Sequence, residues 1–390
     1  MEVSRLLDPA LVHTGIARYG RELLRHLPLV SDDDVWAVVQ EPRSGWTERS
    51  EAATSELLEL VQGRLIGVEA HCSFAKALST FEPLATHDVF HSIHLPLPPT
   101  TSTGAAGRVL TVHDVLHLRR PDLYNSIGVP PIQRSIDSLA QDDIALCDSG
   151  QTRADLMMVT EHPGNQMITV PLGCSVATTI APARTRHDVT CLVQPAPRKN
   201  ARAVLAALAQ VLADRQREEG PTAVGHVFTQ NAGVEIAHKT ARSAGIDPSL
   251  INVVANADDE TIGEALARSR AFLWGSEYEG FGLPVLEAMA HGAVPVLAPN
   301  SSHVAVAGDS GAYAPAPDSI SLAKVLRRLL SDSAYAEALS NRAVRRARSL
   351  SWRNTADQTV RAYAQARRLA ARGANVKTGR QQPVDTVRDW

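Results

Sequence analysis

Two spacings of apolar residues alternate along the chain. Short apolar runs suited to buried strands fall at Val35–Val39, Asp88–His91, Val109–Val112, Asp143–Cys147, Gln166–Val170, Val189–Gln194, Ala223–Thr229, Ile251–Val254 and Ala271–Trp274, with a weaker one at Val3–Leu7. Between them the spacing becomes helical. Ile16, Tyr19, Leu23, Leu24 and Leu27 share one face of a helix over Thr14–Leu27. Further helices are predicted from Pro130 to about Gln141, after Asn200 through Ala213, at about 231–244 and 259–269, and from Pro284, where Val285, Leu286, Met289 and Ala290 form a stripe. Strand–helix alternation predicts an α/β chain with parallel sheets. At 390 residues it exceeds one ordinary core and suits two units of roughly 150 to 200 residues each.

The richest chemistry lies at Gly275-Ser-Glu-Tyr-Glu-Gly-Phe-Gly-Leu-Pro-Val-Leu-Glu-Ala-Met-Ala290, which follows the apolar run Ala271-Phe-Leu-Trp274. A strand, a glycine-rich loop through Gly280 and Gly282, and a helix opening at Pro284 would leave the N–H groups of Phe281, Gly282 and Leu283 pointing outward. The helix dipole favours an anion there. Glu279 and Glu287 flank that mouth. Carboxylates repel phosphate, so they are suited to accept hydrogen bonds from hydroxyls of the same ligand. An anion and several hydroxyls together describe a sugar nucleotide.

This stretch resembles the E-x7-E signature of retaining GT-B glycosyltransferases, specifically glycosyltransferase family 4, and the likeness continues through His291-Gly-Ala-Val-Pro295. Thr14-Gly-Ile-Ala-Arg-Tyr19 resembles the opening of a mannosyltransferase-like branch. Val112-His-Asp114, Arg198-Lys-Asn200, Pro171-Leu-Gly173 and the helix beginning at Leu350-Ser-Trp352 are similar to further family segments. The resemblance implies a GT-B fold, two Rossmann-like domains with a cleft between them. Residues 1–173 would form the acceptor side, 174–188 a linker, and 189–353 the nucleotide-sugar side. A crossover helix at about 354–371 would return to the first domain, and 374–390, with little to bury, is expected to be a disordered tail. It further implies that Glu279 contacts the donor sugar, that His113 lies beside that sugar and supports its cationic transition state, and that Lys199 neutralises the leaving phosphates. Gly15, Arg198, Gly280, Phe281, Gly282, Leu283 and Glu287 would bind the rest of the donor, Glu287 at the ribose. Front-face substitution is the implied mechanism, the leaving phosphate taking the acceptor proton. Two segments depart from the pattern: Val193-Gln194-Pro195 replaces a glycine-containing turn, and Val304-Ala305 stands where Pro-Glu is usual.

Composition narrows the partners. Residues 1–180 hold 13 Lys plus Arg against 22 Asp plus Glu, a balance of −9, whereas the remainder holds 26 against 20, or +6. An acidic first half argues against nucleic acid and anionic lipid, and a basic second half suits a diphosphate. Membrane association is therefore not expected. There is no run of about 18 apolar residues, and Met1-Glu-Val-Ser-Arg5 lacks the features of a signal peptide, so a cytosolic protein is expected. The four cysteines, Cys72, Cys147, Cys174 and Cys191, form no C-x-x-C pair and suggest neither disulfides nor zinc. Asp32-Asp-Asp34 precedes its strand rather than following it, so no Asp-x-Asp metal dyad is placed, and no cofactor or divalent metal is expected beyond the nucleotide-sugar co-substrate. The reading is hexose transfer from a GDP-sugar, or next a UDP-sugar, to a small soluble acceptor such as an antibiotic precursor. Mannosyl transfer to a polysaccharide or lipid-linked glycan is the alternative. A GT-B protein with other chemistry and a non-catalytic sugar-nucleotide binder remain open.

Overall fold

The computed structural model describes residues 1, 14–32, 35–40, 65–71, 88–124, 131–177, 179–217 and 223–377. The strand expected at Val3–Leu7, Cys72 and the tail beyond 377 lie outside the described residues. Every strand pairing is parallel. β1 (Val35–Gln40) pairs with β2 (Leu65–His71), and β3 (Val89–Ser92), β4 (Gly107–Val112), β5 (Ile144–Cys147) and β6 (Met167–Thr169) follow in sequence order across a four-stranded sheet. The later strands are β7 (Asp188–Val193), β8 (Gly225–Thr229), β9 (Ile251–Ala255), β10 (Ser269–Leu273), β11 (Val294–Leu297) and β12 (Ala312–Tyr313). They form a six-stranded sheet in the order β12-β11-β10-β7-β8-β9. Two such parallel sheets with helices constitute the GT-B architecture. β4 and β10 are buried at every position, as a strand covered on both faces must be, and their continuous runs reflect this.

The last long helix, Trp352–Lys377, lies against the first sheet although it follows the second. The Tyr363 hydroxyl meets His91 Nδ1 at 2.8 Å, and a Cβ on Gly107 would sit 2.7 Å from the Ala366 backbone. This helix starts at Trp352 and continues through Lys377, so residues 374–377 are helical where a loose tail was expected. Where the chain first leaves the sheet, a side chain on Gly173 would strike the Trp352 nitrogen at 2.1 Å, so only glycine fits that crossing. The Cys174 amide donates to Leu350 O at 3.0 Å and Thr355 Oγ1 to Pro171 O at 2.8 Å, fastening the two crossings side by side.

Within the segment 174–188, expected as a linker, residues 183–186 are docked on the second half. Arg270, fully buried on β10, donates to Ala183 O, Arg186 O, Arg184 O and Leu330 O at 2.7 to 3.0 Å. Arg186 in turn reaches Ser269 O, His291 O, Gly292 O and Ser340 Oγ. Buried guanidinium groups survive here because carbonyl oxygens absorb their donors.

Candidate active site

Strand register builds the centre. β4 and β5 pair Val112 with Cys147, so the next residues, His113 and Asp148, emerge side by side at the carboxyl ends, where α/β sheets bind ligands. His113 Nδ1 lies 2.6 Å from Asp148 Oδ2, and its Nε2 donates to Ile93 O at 2.8 Å. Burial alone would disfavour the imidazolium, but the Asp148 carboxylate and the Ile93 carbonyl outweigh it and raise the histidine's pKa. The Tyr19 ring meets the imidazole edge-on with centroids 5.3 Å apart. Both ring nitrogens are engaged, and the ring stands at the carboxyl end of β4, where the resemblance implies that it lies beside the donor sugar. The His113 carbonyl oxygen lies 3.2 Å from Thr152 Oγ1.

In the second sheet, β10 and β7 pair Leu273 with Cys191, bringing the loops after both strands together. The Glu277 amide donates to Arg198 O at 2.7 Å, and Ser276 Oγ lies 3.1 Å from the same oxygen. That stitching places Glu279, 7% exposed, between two cations: Lys199 Nζ lies 2.7 Å from Oε1 and Arg198 NH1 2.9 Å from Oε2. Ser276 Oγ adds a hydrogen bond to Oε1 at 2.6 Å. Burial opposes the Glu279 charge, yet Lys199 and Arg198 prevail and hold the carboxyl at about 2. Burial presses Lys199 below its ordinary value against the pull of Glu279, and its ammonium sits 4.6 Å from the Trp274 ring centroid. Ser301 and Ser302 brace the glutamate from behind. Ser301 Oγ accepts the Glu279 amide and donates to its carbonyl, and Ser302 Oγ donates to Phe281 O at 2.6 Å.

The loop then meets the first sheet. A Cβ on Gly280 would lie 1.8 Å from His113 O, so glycine alone permits this approach. Ser149 and Thr152 donate to Gly280 O at 2.5 and 3.1 Å, and the Tyr278 hydroxyl donates to buried Asp155 at 2.9 Å. Gly282, at φ 101°, turns the chain into helix Leu283–Ala290, with Pro284 in its first turn and the side chains of Phe281 and Leu283 buried. Gly15 opens helix Gly15–His26 beside Leu283.

Solved structures share this fold. HepE of Anabaena, in complex with UDP and glucose, superposes with a TM-score of 0.64 at 15% identity, over 90% of this chain and 96% of that one. WaaG, a glycosyltransferase involved in lipopolysaccharide biosynthesis, gives 0.57 at 14% identity over 94% and 96%. Residues 185–346 match the family described as glycosyl transferases group 1. O-antigen chain mannosyltransferase B of Escherichia coli is 25% identical over 379 residues, covering 90% of this chain and 96% of the relative. The chain is a GT-B glycosyltransferase.

In the transferase, Arg198, Lys199, Glu279, Gly280, Phe281, Gly282 and Leu283 lie together at the mouth of one helix, facing His113 and Gly15 of the first sheet's half. Glu287 stands on the same helix but is engaged by Arg18, which also grips Asp259. Sequence reasoning passed over Arg18, Asp148, Ser149, Thr152, Asp155, Ser276, Ser301 and Ser302. Arg18 lay inside a quoted motif, and Ser276 within the central stretch. The others acquire their roles only from contacts made across the fold. Among the described residues, no helix is long and apolar enough to cross a membrane.

Proposed function

We propose that the transferase moves a hexose, mannose in the first instance, from a GDP-sugar to a hydroxyl of a growing glycan, with retention of configuration and without a divalent ion. The observation that carries this reading is the buried Arg198–Lys199–Glu279 cluster at the helix mouth. A diphosphate entering there would compete with Glu279 for both cations, and the helix start would supply N–H donors. Glu279, kept ionised, would then turn its oxygens to hydroxyls of the sugar. Two cations beside the bridging oxygen would stabilise the departing diphosphate, so positive charge is available without a metal. The leaving phosphate would take the acceptor proton on the face it vacates, which gives retention.

Similarity to an O-antigen mannosyltransferase along nearly the whole of both chains favours mannose and a glycan acceptor over the small acceptor expected from the acidic first half. The binding of UDP by HepE keeps UDP-sugars as the second donor class to test. The test incubates GDP-mannose, other GDP-sugars and UDP-sugars with mannosylated oligosaccharides in excess chelator, reading mass and anomeric configuration of the product. Retained configuration and a fall of about 100-fold in Lys199→Ala are expected. No transfer from any nucleotide sugar, an inverted product, or a Lys199→Ala enzyme within a few fold of wild type would overturn the reading. Activity abolished by chelator would remove its metal-independent part.

A further inference from the structure

Helix Gly15–His26 is bound on one face and reaches out on another. Thr14 Oγ1 caps it by accepting the Ala17 amide, and Ala17, Tyr19, Leu23 and Leu24 are buried. Tyr19, fully buried, places its hydroxyl 3.1 Å from Thr111 Oγ1 and its ring against His113. The preceding residue, Arg18, points the other way, to the second sheet's half. Its NH1 pairs with Glu287 Oε1 on helix Leu283–Ala290, and its NH2 pairs with Asp259 Oδ2 on helix Asp259–Arg268. Arg18 and Glu287 have side-chain exposures of 26% and 24%, so this bridge is only partly wetted.

We propose that Arg18 is a positioning residue that draws the two halves together and fixes the Glu287 carboxylate for the hydroxyls of the donor. This rests on the nucleotide-sugar reading above and adds a residue to it. A planar guanidinium can hold two carboxylates at once, and Glu287 and Asp259 would repel each other without it. With Oε1 committed to Arg18, Oε2 of Glu287 is left to accept from a diol such as a ribose. A carboxylate fixed by an arginine loses less rotamer freedom when the ligand arrives. Because Tyr19 ties the same helical turn to Thr111 and His113, donor binding at Glu287 becomes coupled to the placement of the first sheet's strand ends.

The experiment compares wild type, Arg18→Ala, Arg18→Lys and Asp259→Asn for GDP and UDP affinity by calorimetry, for the split of kcat and donor KM, and for radius of gyration by solution scattering with and without nucleotide. Arg18→Ala is expected to weaken nucleotide binding and raise donor KM about tenfold, with kcat at saturating donor changed less, the pattern of a lost charged contact in binding. Its radius of gyration should exceed that of wild type in both states. Arg18→Lys should recover part of both effects, and Asp259→Asn, which spares the Glu287 contact, should fall between. Unchanged nucleotide affinity and unchanged compaction in Arg18→Ala would overturn the proposal. If wild type binds neither nucleotide, the donor reading fails by itself. The nucleotide-free scattering of Arg18→Ala, or of Asp259→Asn should the alanine variant not fold, then decides whether Arg18 draws the halves together.

Discussion

Replacing Glu279 with glutamine should destabilise the protein markedly, and restoring charge balance should recover much of the loss. The carboxyl is held at about 2 instead of 4.5, which corresponds to about 3 kcal/mol of linkage free energy. Removing one partner of a buried pair independently suggests a loss of about 3 to 5 kcal/mol, because the remaining charge is left uncompensated. Lys199 is the charge most exposed to this loss, being 8% accessible, whereas Arg198 is 26% accessible and can turn to water. The double variant Glu279→Gln/Lys199→Met should therefore be more stable than the sum of the single changes implies, with a coupling of about 2 kcal/mol or more. Thermal unfolding of the four proteins at neutral pH measures that cycle. Acid titration gives a second reading. Glu279 is depressed, so its contribution is complete above the unfolded value of 4.5 and drains away as pH falls towards 2, a component absent from the glutamine variant. A single-variant loss below about 1 kcal/mol, or strict additivity in the double variant, would refute the view of Glu279 as the buried counter-ion of Lys199.

Two other substitutions separate close approach from charge. Gly280→Ala should force the loop away from His113 O, costing about 1 to 3 kcal/mol by overpacking and at least about tenfold in turnover; a variant with native melting and kinetics would show the approach to be dispensable. Arg270→Met should leave the carbonyls of Ala183, Arg184, Arg186 and Leu330 short of donors, losing about 3 kcal/mol or more and opening residues 183–186 to trypsin. Resistance of that segment to cleavage, compared with wild type, would count against its being pinned by Arg270.

Much of the fold was legible because strands buried on both faces are written as short, predominantly apolar runs. β4, β5, β7 and β10 fall within a residue or two of the expected positions. β11 was not recognised because Pro295 sits inside it, and proline reads against a central strand. β2 went unread because Gly67 and Glu69 interrupt its apolar residues. Helix Gly150–Val159 has almost no apolar periodicity, and only its Ser149 cap, accepting from the Thr152 amide, announces it. Helix Ser319–Ser331 did carry signals, an Asp318 cap and Leu322, Leu326 and Leu329 at helical spacing, and these were overlooked. In the site, the residues around Glu279 were visible as one motif because they are neighbours in sequence. The His113–Asp148, Tyr278–Asp155 and Arg18–Glu287 pairs were not, since each joins residues 35 to 269 positions apart, by the numbering of the sequence, and only strand register and helix docking bring them together.

The docking of the segment between the sheets also determines where the molecule can bend. The chain is bound to the second half at residue 177, whose amide donates to Ala290 O, and again at residues 183–186, so between these anchors it cannot serve as a long flexible tether. What remains are two short spans, 173–176 and 350–352, lying side by side and joined by the Cys174–Leu350 hydrogen bond. Two adjacent pivots on one line behave like the paired pins of a door. Any relative movement of the halves would therefore turn about that line, which passes through the Cys174–Leu350 hydrogen bond.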